Sequence, residues 1–421
     1  MSNTLSNQQI SQGFARREFL VQAAGALSAV ALMPAVLPAA PQPAQTLKLG
    51  IVGVGRQGRA IIAELGKLPN VQVAAICDND ASRLRTAQGR TQGAEAIDDY
   101  RKLLEKADIT AVIIATPTHL HMDIALAAIA AGKHVYCEVP LAHTVDDART
   151  IATAARTSKK VFATALEGRA NPVYTLARSF FRSDAVRDVV TMRCQNSQKR
   201  SLRTPASDSA REKALNWWLD KEISTGIPGE LGTQQFDVIH WYRDMYPTEV
   251  SGHVATRFYN DGRPVEIGDT VNCDFGFPDG TRLQYMATLA NSYEGRYEVL
   301  QGVNATIKLA WTHGWMFKEA DAPTQGWEVY ANRQQFHKDE GITLIADATK
   351  LASQGKLQDG IGLPHPSTYY AIADFVRAIT ESKPPAASAD VAFRSTVVAL
   401  MAHKAASTRT RIEISSEMLK V

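Results

Sequence analysis

The chain has 421 residues, 45% of them apolar, with 46 Lys and Arg against 43 Asp and Glu for a formal net charge of +3. Such a length exceeds what one small core supports and predicts two domains. The near balance of charge, with no basic cluster interleaved with aromatics, gives no footing for nucleic-acid binding and fits a neutral or weakly polar small molecule.

The N-terminus reads as a targeting segment. A polar stretch leads to Arg16-Arg17-Glu18-Phe19-Leu20, then to a mildly apolar run from Val21 to Leu37. Two adjacent arginines before such a run match a twin-arginine export signal, which predicts a periplasmic protein that folds, commonly around a cofactor, before it crosses. An uncleaved membrane anchor is the alternative, but the prolines and alanines of the run make a poor permanent span. Residues 1–46 are therefore assigned to signal and linker, with no stable membrane span once the leader is removed.

A strand-like run, Leu47 to Val52, is followed by Gly53-Val54-Gly55-Arg56-Gln57-Gly58 and a helical stretch from Arg59 to Lys67. In this order the pieces form a dinucleotide cradle: Gly53 for the turn, Gly55 for close approach of backbone N–H groups to a pyrophosphate, Gly58 for helix-to-strand packing. A second strand, Val71 to Cys77, ends in Asp78, twenty residues after Gly58. An acid at that spacing accepts hydrogen bonds from the adenosine ribose and repels a 2′-phosphate, so NAD is predicted over NADP. The apolar strand Ile109 to Ala115 runs into Thr116-Pro117-Thr118-His119-Leu120-His121, a helix ends at Gly132, and the strand from His134 closes in Glu138-Val139-Pro140. The cysteines, Cys77, Cys137, Cys194 and Cys273, stand alone without CxxC spacing, so neither a disulfide framework nor a metal site is expected.

Gly53-x-Gly55-x-x-Gly58, Cys77-Asp78-Asn79-Asp80, Thr116-Pro117-x-x-x-His121, Ala131-Gly132-Lys133-His134-Val135 and Glu138-x-Pro140 together resemble the Gfo/Idh/MocA oxidoreductases. The resemblance implies a nicotinamide dinucleotide lying over these strand ends, with Arg56 and Gln57 in its cradle and Thr116, Pro117, His121 and Glu138 along its nicotinamide half. Two departures matter. The family's Glu-Lys-Pro has Val139 in place of the lysine, a Glu-Val-Pro variant that looks like the NAD-dependent glycoside hydrolases of the superfamily. The family's D-x-G-x-H-x-x-D aligns with Glu230 to Asp237, where Gln234 replaces the histidine. Glutamine cannot titrate.

From Leu166 the pattern changes. Val186–Arg193, Val250–Thr256, Thr270–Gly276, Thr281–Leu289, Tyr297–Gly302 and Ala305–Leu309 have strand length and are split by turns such as Pro278-Asp279-Gly280. The expected architecture is α/β plus α+β: a Rossmann domain with a parallel sheet over 47–165, and a substrate and oligomerisation domain with a large, open, mostly antiparallel sheet over 166–421. One broad sheet face left to cover predicts a homo-oligomer.

Read as one helix, Gly229 to Arg243 puts Glu230, Gln234, Asp237 and Trp241 on a continuous face, suited to gripping sugar hydroxyls. A solvated face is the plain alternative. Asp237, kept at the matching family position, is the expected base, working with Gln234 and Glu138. Arg169 and Asn171 match the family's entry to the second domain, and either touch substrate or pin the crossing. Trp217-Trp218, near Lys221, form a stacking wall or belong to the core. Tyr293 and His365 are loop residues placed to reach the pocket, and His143 is a further proton carrier. The Gln198 to Lys213 loop reads as a solvated, lid-like segment. The expectation is an NAD-dependent oxidoreductase that moves a hydride at a ring carbon of a sugar or glycoside. Redox-assisted glycoside cleavage and non-catalytic binding of NAD and sugar are the alternatives.

Overall fold

In the computed structural model the described residues are 46–421, apart from 202, 260–266, 326, 327, 329, 330 and 337. The expected leader, residues 1–45, lies outside them. Six short strands form the first sheet: β1 (Leu47–Val52), β2 (Val71–Cys77), β3 (Glu95–Ile97), β4 (Ala111–Ile114), β5 (His134–Cys137) and β6 (Phe162–Thr164). All pair in parallel in the order β3-β2-β1-β4-β5-β6. All four side chains of β4 are buried, as a strand sandwiched between helical layers requires. Between the strands run α1 (Arg56–Leu65), α2 (Ala81–Gln88), α3 (Tyr100–Leu104), α4 (His121–Ala130) and α5 (Val145–Thr157). Asp80 caps α2 by accepting from the N–H groups of Ser82 and Arg83, and Thr144 caps α5 through Asp147 N–H.

After α6 (Pro172–Arg182) the chain builds a ten-stranded sheet. It comprises β7 (Val189–Ser197), β8 (Glu249–Ala255), β9 (Thr270–Gly276), β10 (Arg282–Thr288), β11 (Arg296–Gly302), β12 (Ala305–Ala310), β13 (His313–Lys318), β14 (Arg333–Phe336), β15 (Asp339–Thr343) and β16 (Ile412–Glu413). The order is β14-β15-β13-β12-β11-β7-β10-β9-β8-β16, antiparallel throughout except for the β7–β10 pair. Alternation gives the sheet a buried face of Val271, Phe275, Leu283, Tyr285 and Ala287. Onto it packs α8 (Thr233–Arg243), which follows α7 (Ser209–Leu215); the Phe236 ring lies 4.9 Å from Phe275 and 4.8 Å from Tyr285.

The stretch 166–421 also returns to the first sheet. After α9 (Ala348–Ser353), α10 (Ser367–Thr380) buries Ile372 and Phe375 there, with Phe375 against Tyr136 at 5.7 Å. Residues 387 and 388 run along the edge of β6, where Thr164 N–H donates to Ala387. Then α11 (Ala389–Thr408), rich in alanine, lies close to β8 and also packs on α5. Its Thr396 hydroxyl accepts from Leu141 N–H just past β5. One helix thereby ties the two sheets together. Cys77, Cys137, Cys194 and Cys273 are buried and free. Among the described residues no helix is long and apolar enough to cross a membrane.

Candidate functional site

The glycine-rich turn has the close approaches its pattern predicts. Gly53 adopts φ +90°, and a Cβ there would stand 2.6 Å from the Ala115 carbonyl; one on Gly58 would stand 2.0 Å from Gly53 O. In front of Gly55 the space is open, the nearest atom to an added Cβ being Arg83 Nη1 at 4.0 Å. Gly55 caps α1 with no side-chain partner, which leaves the first N–H groups of the helix for an anion. Arg56 is exposed there. Thr116 Oγ1, at the carboxyl end of β4, is buried without a hydrogen-bond partner. An open cradle and an orphaned hydroxyl beside it fit a dinucleotide. Asp78, at the end of β2, is 8% exposed; its Oδ2 accepts from Val54 N–H at 3.0 Å and its Oδ1 from Asp80 N–H at 2.9 Å. Half of its acceptor capacity is thus used to hold the turn, and the rest is free for ribose hydroxyls.

Beyond Pro117 the chain makes a 3₁₀ turn over Thr118–Leu120 into α4. His121, expected along the cofactor, instead staples the two strand ends: Nδ1 is 3.0 Å from Pro140 O and Nε2 3.0 Å from Thr116 O. Burial lowers its pKa to about 4, so the ring is neutral and carries one N–H, which donates to one of these carbonyls while the other nitrogen only lies beside its own. Glu138, at the end of β5, accepts from the Gln57 amide at 3.1 Å. Burial, seconded by the charge of Glu167, raises the Glu138 pKa to about 8 against the opposing Gln57 bond. At neutral pH it is a proton-bearing carboxyl that can donate.

From the second domain come Glu230 and Gln234, but not on one regular helix. Pro228–Gly232 forms a π-helical turn before α8, and the wider turn changes the register between Glu230 and the residues after it. Glu230 Oε1 accepts from Thr225 Oγ1 at 2.6 Å and from Thr118 Oγ1 at 3.1 Å, which brings it to the end of β4. Burial raises its pKa; hydrogen bonds from Thr225 and Thr118 and the charge of Arg200 oppose the rise. Gln234 Oε1 accepts from Arg296 Nη2 at 2.9 Å.

The expected base is placed elsewhere. Asp237 is 1% exposed and bound by Arg169 Nε at 2.8 Å and Nη2 at 2.9 Å, with Ser395 Oγ at 3.0 Å. A carboxylate gripped this way cannot reach a substrate hydroxyl, so the base assignment to Asp237 and the substrate contact assigned to Arg169 are both corrected. Arg169 pins the crossing, and its guanidinium lies over Trp241 at 5.6 Å. Asn171 is structural too: it caps α6 and donates to Trp311 O and Ser367 Oγ.

Trp217 faces His119, the residue after Thr118, at 5.7 Å between ring centroids. His143 lies edge-on to His119 at 6.3 Å, with Nδ1 3.5 Å from Asp147. Trp218 carries Arg200 at 5.4 Å. Tyr293 is 76% exposed in the β10–β11 turn and contacts Asn291 and Gln195, not this cluster. The ring of His365 stacks on Tyr369 at 4.1 Å, again apart from it. Sequence reasoning missed Thr118, Thr225, Glu167 and Arg296. Glu167 accepts from Thr368 at 2.6 Å, and burial raises its pKa against the opposing charge of Arg296. Among the described residues no group of three or more His, Cys, Asp or Glu side chains could hold a metal ion.

Two family models match the chain: an oxidoreductase family with an NAD-binding Rossmann fold over residues 47–166, and a GFO/IDH/MocA C-terminal domain over 174–308. Levoglucosan dehydrogenase of Pseudarthrobacter phenanthrenivorans is 29% identical over 206 residues, 47% of this chain and 51% of that protein. Inositol 2-dehydrogenase of Salmonella typhimurium is 37% identical over 117 residues, 27% of this chain and 35% of that one. A glycosyl hydrolase family 109 protein of Shewanella pealeana is 37% identical over 124 residues, 27% of each. The chain thus spans about half or less of the length of these relatives. A solved levoglucosan dehydrogenase in complex with NADH and levoglucosan superposes with TM-score 0.71 at 21% identity, over 88% of this chain and 100% of that one. At that identity the likeness shows the fold.

Proposed function

Because the chain belongs to the Gfo/Idh/MocA oxidoreductase family, we propose that it is an NAD-dependent enzyme acting at a ring carbon of a sugar or glycoside. The observation that carries this reading is the Glu230–Thr118 hydrogen bond of 3.1 Å, which sets a second-domain carboxyl at the strand end where the dinucleotide cradle opens. NAD, when bound, would supply the acceptor for the hydride of the carbinol C–H, and ionised Glu230 would take the hydroxyl proton as the carbonyl forms. Glu138, bearing its proton, serves as a donor to a substrate hydroxyl or an amide. Trp217 supplies a stacking wall for a pyranose. The names of the levoglucosan and inositol dehydrogenases support a polyol or sugar substrate.

The purified protein is mixed with a panel of sugars and glycosides, and reduced nicotinamide is followed by its absorbance. Reduction by the wild type and its loss in Glu230→Gln, with nucleotide binding kept, support the reading. No reduction with any member sinks it.

A second reading has one specific support: Glu138-Val139-Pro140, together with the similarity to the family 109 glycosyl hydrolase protein. In that reading bound NAD would oxidise a hydroxyl and so acidify the neighbouring C–H; a base would take that proton as the aglycone leaves, water would add, and return of the hydride would restore the nicotinamide. Release of phenol from aryl glycosides without net nicotinamide reduction distinguishes it. The Arg16-Arg17 pattern supports a periplasmic location with a recycled cofactor, and the alternate exposed residues of β8, β9 and β10, among them His253, Asn272 and Gln284, leave a sheet face that supports a homo-oligomer.

A further inference from the structure

We propose that Arg296 locks the Gln234 amide so that both of its N–H groups face the cleft, making Gln234 a fixed donor to the reacting oxygen while Glu230 is the acceptor. This rests on the oxidoreductase reading above. The argument begins with the guanidinium, which carries only donors. Its Nη2 lies 2.9 Å from the Gln234 amide, so the group turned toward it is the carbonyl Oε1. The amide nitrogen then points away from Arg296. Gln234 is half-buried, and its hydrogen bond to Arg296 is made through Oε1, which leaves Nε2 on the side away from the guanidinium.

Arg296 is itself held in place. Its Cζ lies 3.2 Å from the centroid of the Trp311 ring, and its buried Nε has no partner. Burial lowers its pKa, while the carboxyls of Glu298 and Glu167 favour its charge. Glu298 is in turn bound by Tyr174 Oη at 2.5 Å and Gln235 Nε2 at 2.7 Å, so the cation's surroundings are fixed as well. A stationary guanidinium polarises the amide it grips and strengthens the N–H donors on the far side. Glu230 and Gln234 thus offer one ionisable acceptor and one oriented donor to the same oxygen. Such a pair suits an alcohol that becomes a carbonyl, since the donor stabilises negative charge as the proton leaves. A glutamine free to flip would half the time offer its carbonyl, which repels that charge. Arg296 is therefore a positioning residue acting through Gln234.

The test uses the full, nucleotide-loaded protein with Arg296→Ala, Arg296→Lys and Gln234→Glu. Arg296→Ala is expected to lower kcat by roughly 10²-fold with KM little changed. Added guanidinium at concentrations that leave the fold intact restores part of that loss, and Arg296→Lys retains an intermediate rate. Gln234→Glu, which keeps an acceptor for Arg296 but has no N–H, loses kcat to a similar degree. An Arg296→Ala variant with wild-type kcat overturns the proposal, as does a loss that neither guanidinium nor lysine relieves. A readout independent of turnover is the side-chain amide signal of Gln234 in ¹⁵N spectra, assigned by its disappearance in Gln234→Glu. Exchange between its two proton positions should quicken in Arg296→Ala; unchanged exchange overturns the lock even if no sugar substrate has been found. Failure of every sugar to reduce nicotinamide in the wild type, with quickened exchange in the variant, instead counts against the oxidoreductase reading alone.

Discussion

Arg169 and Asp237 form a two-bond ion pair, Nε to Oδ2 at 2.8 Å and Nη2 to Oδ1 at 2.9 Å, at the point where the chain leaves the first domain. The carboxylate is 1% exposed and its third bond, from Ser395, comes from α11. Three elements distant in sequence therefore meet on one charge.

Removing that charge leaves a buried guanidinium unpaired, so Asp237→Asn should destabilise the fold by about 3–5 kcal/mol. Urea unfolding measures this. Were the variant to unfold like the wild type yet lose hydride transfer, the carboxylate would be the base after all.

How much of this was readable beforehand follows from the kind of signal each residue carries. The close approaches of the glycine turn and the position of Asp78 at the end of β2 were legible because they lie in local backbone geometry, and local geometry leaves fixed spacings. The strands from Thr270 to Ala310 were legible from alternation. β14 and β15, reading Arg-Gln-Gln-Phe and Asp-Glu-Gly-Ile-Thr, were not, because each is short and holds a single large apolar residue, which leaves no apolar period to detect. Asp237 was misread because it was chosen as the acid kept at the matching family position, and only tertiary packing shows that Arg169 and Ser395 take it up; the face it was drawn on with Glu230 also ran through Pro228–Gly232, where the chain takes a π turn. Arg296 was hidden at the head of β11, since only tertiary packing shows that its guanidinium turns inward to Gln234. A charged residue flanked by apolar strand residues, as Glu298 is by Tyr297 and Val299, was the one available hint.

Glu230 should set the pH dependence of hydride transfer. A base works only when ionised, and burial raises its pKa, so the rate should climb with pH along a limb lying above the ordinary glutamate value of about 4.3. Glu230→Gln should abolish the limb and lower the rate by roughly 10²–10⁴-fold. Glu138→Gln should keep the limb. A limb that survives in Glu230→Gln moves the proton to another group.

Glu138 should leave its mark on stability instead. Its carboxyl ionises near the ordinary value when the chain is unfolded, but in the fold burial and the neighbouring Glu167 hold its proton up to about 8. Between those two pH values the folded state binds one more proton than the unfolded state. Stability from this group is therefore complete below the unfolded value, declines as pH rises toward about 8, and is level above it. In nucleotide-free protein, Glu138→Gln should flatten that decline. Urea midpoints at about pH 5 and about pH 9 make the comparison, and parallel wild-type and variant curves would remove the raised carboxyl from the account.

Arg211, on α7, reaches across to the cradle: Nη2 lies 2.9 Å from Ser82 Oγ and 3.1 Å from Asp80 Oδ2, two residues past Asp78. A cavity of about 480 Å³ lies beneath, lined by Gly55, Arg56, Arg83, Thr204 and Arg211 among others. The 204–215 segment thus lies along one side of the glycine turn, so a dinucleotide seated in the cavity would be retained partly by the Arg211 contact. The Ser82 hydroxyl, first among several hydrogen bonds, lowers the Asp80 pKa to about 2, so the pair is charged throughout the working range. Because Arg211 is 48% exposed, its contact is worth about 1 kcal/mol at most, and Arg211→Ala should speed release of NADH by roughly fivefold. Salt screens an exposed pair, so the difference between variant and wild type should shrink as ionic strength rises. Stopped-flow fluorescence of bound NADH gives both rates. Equal release from the two proteins at low salt would mean that retention resides in the glycine turn alone, with the 204–215 segment only lying beside it.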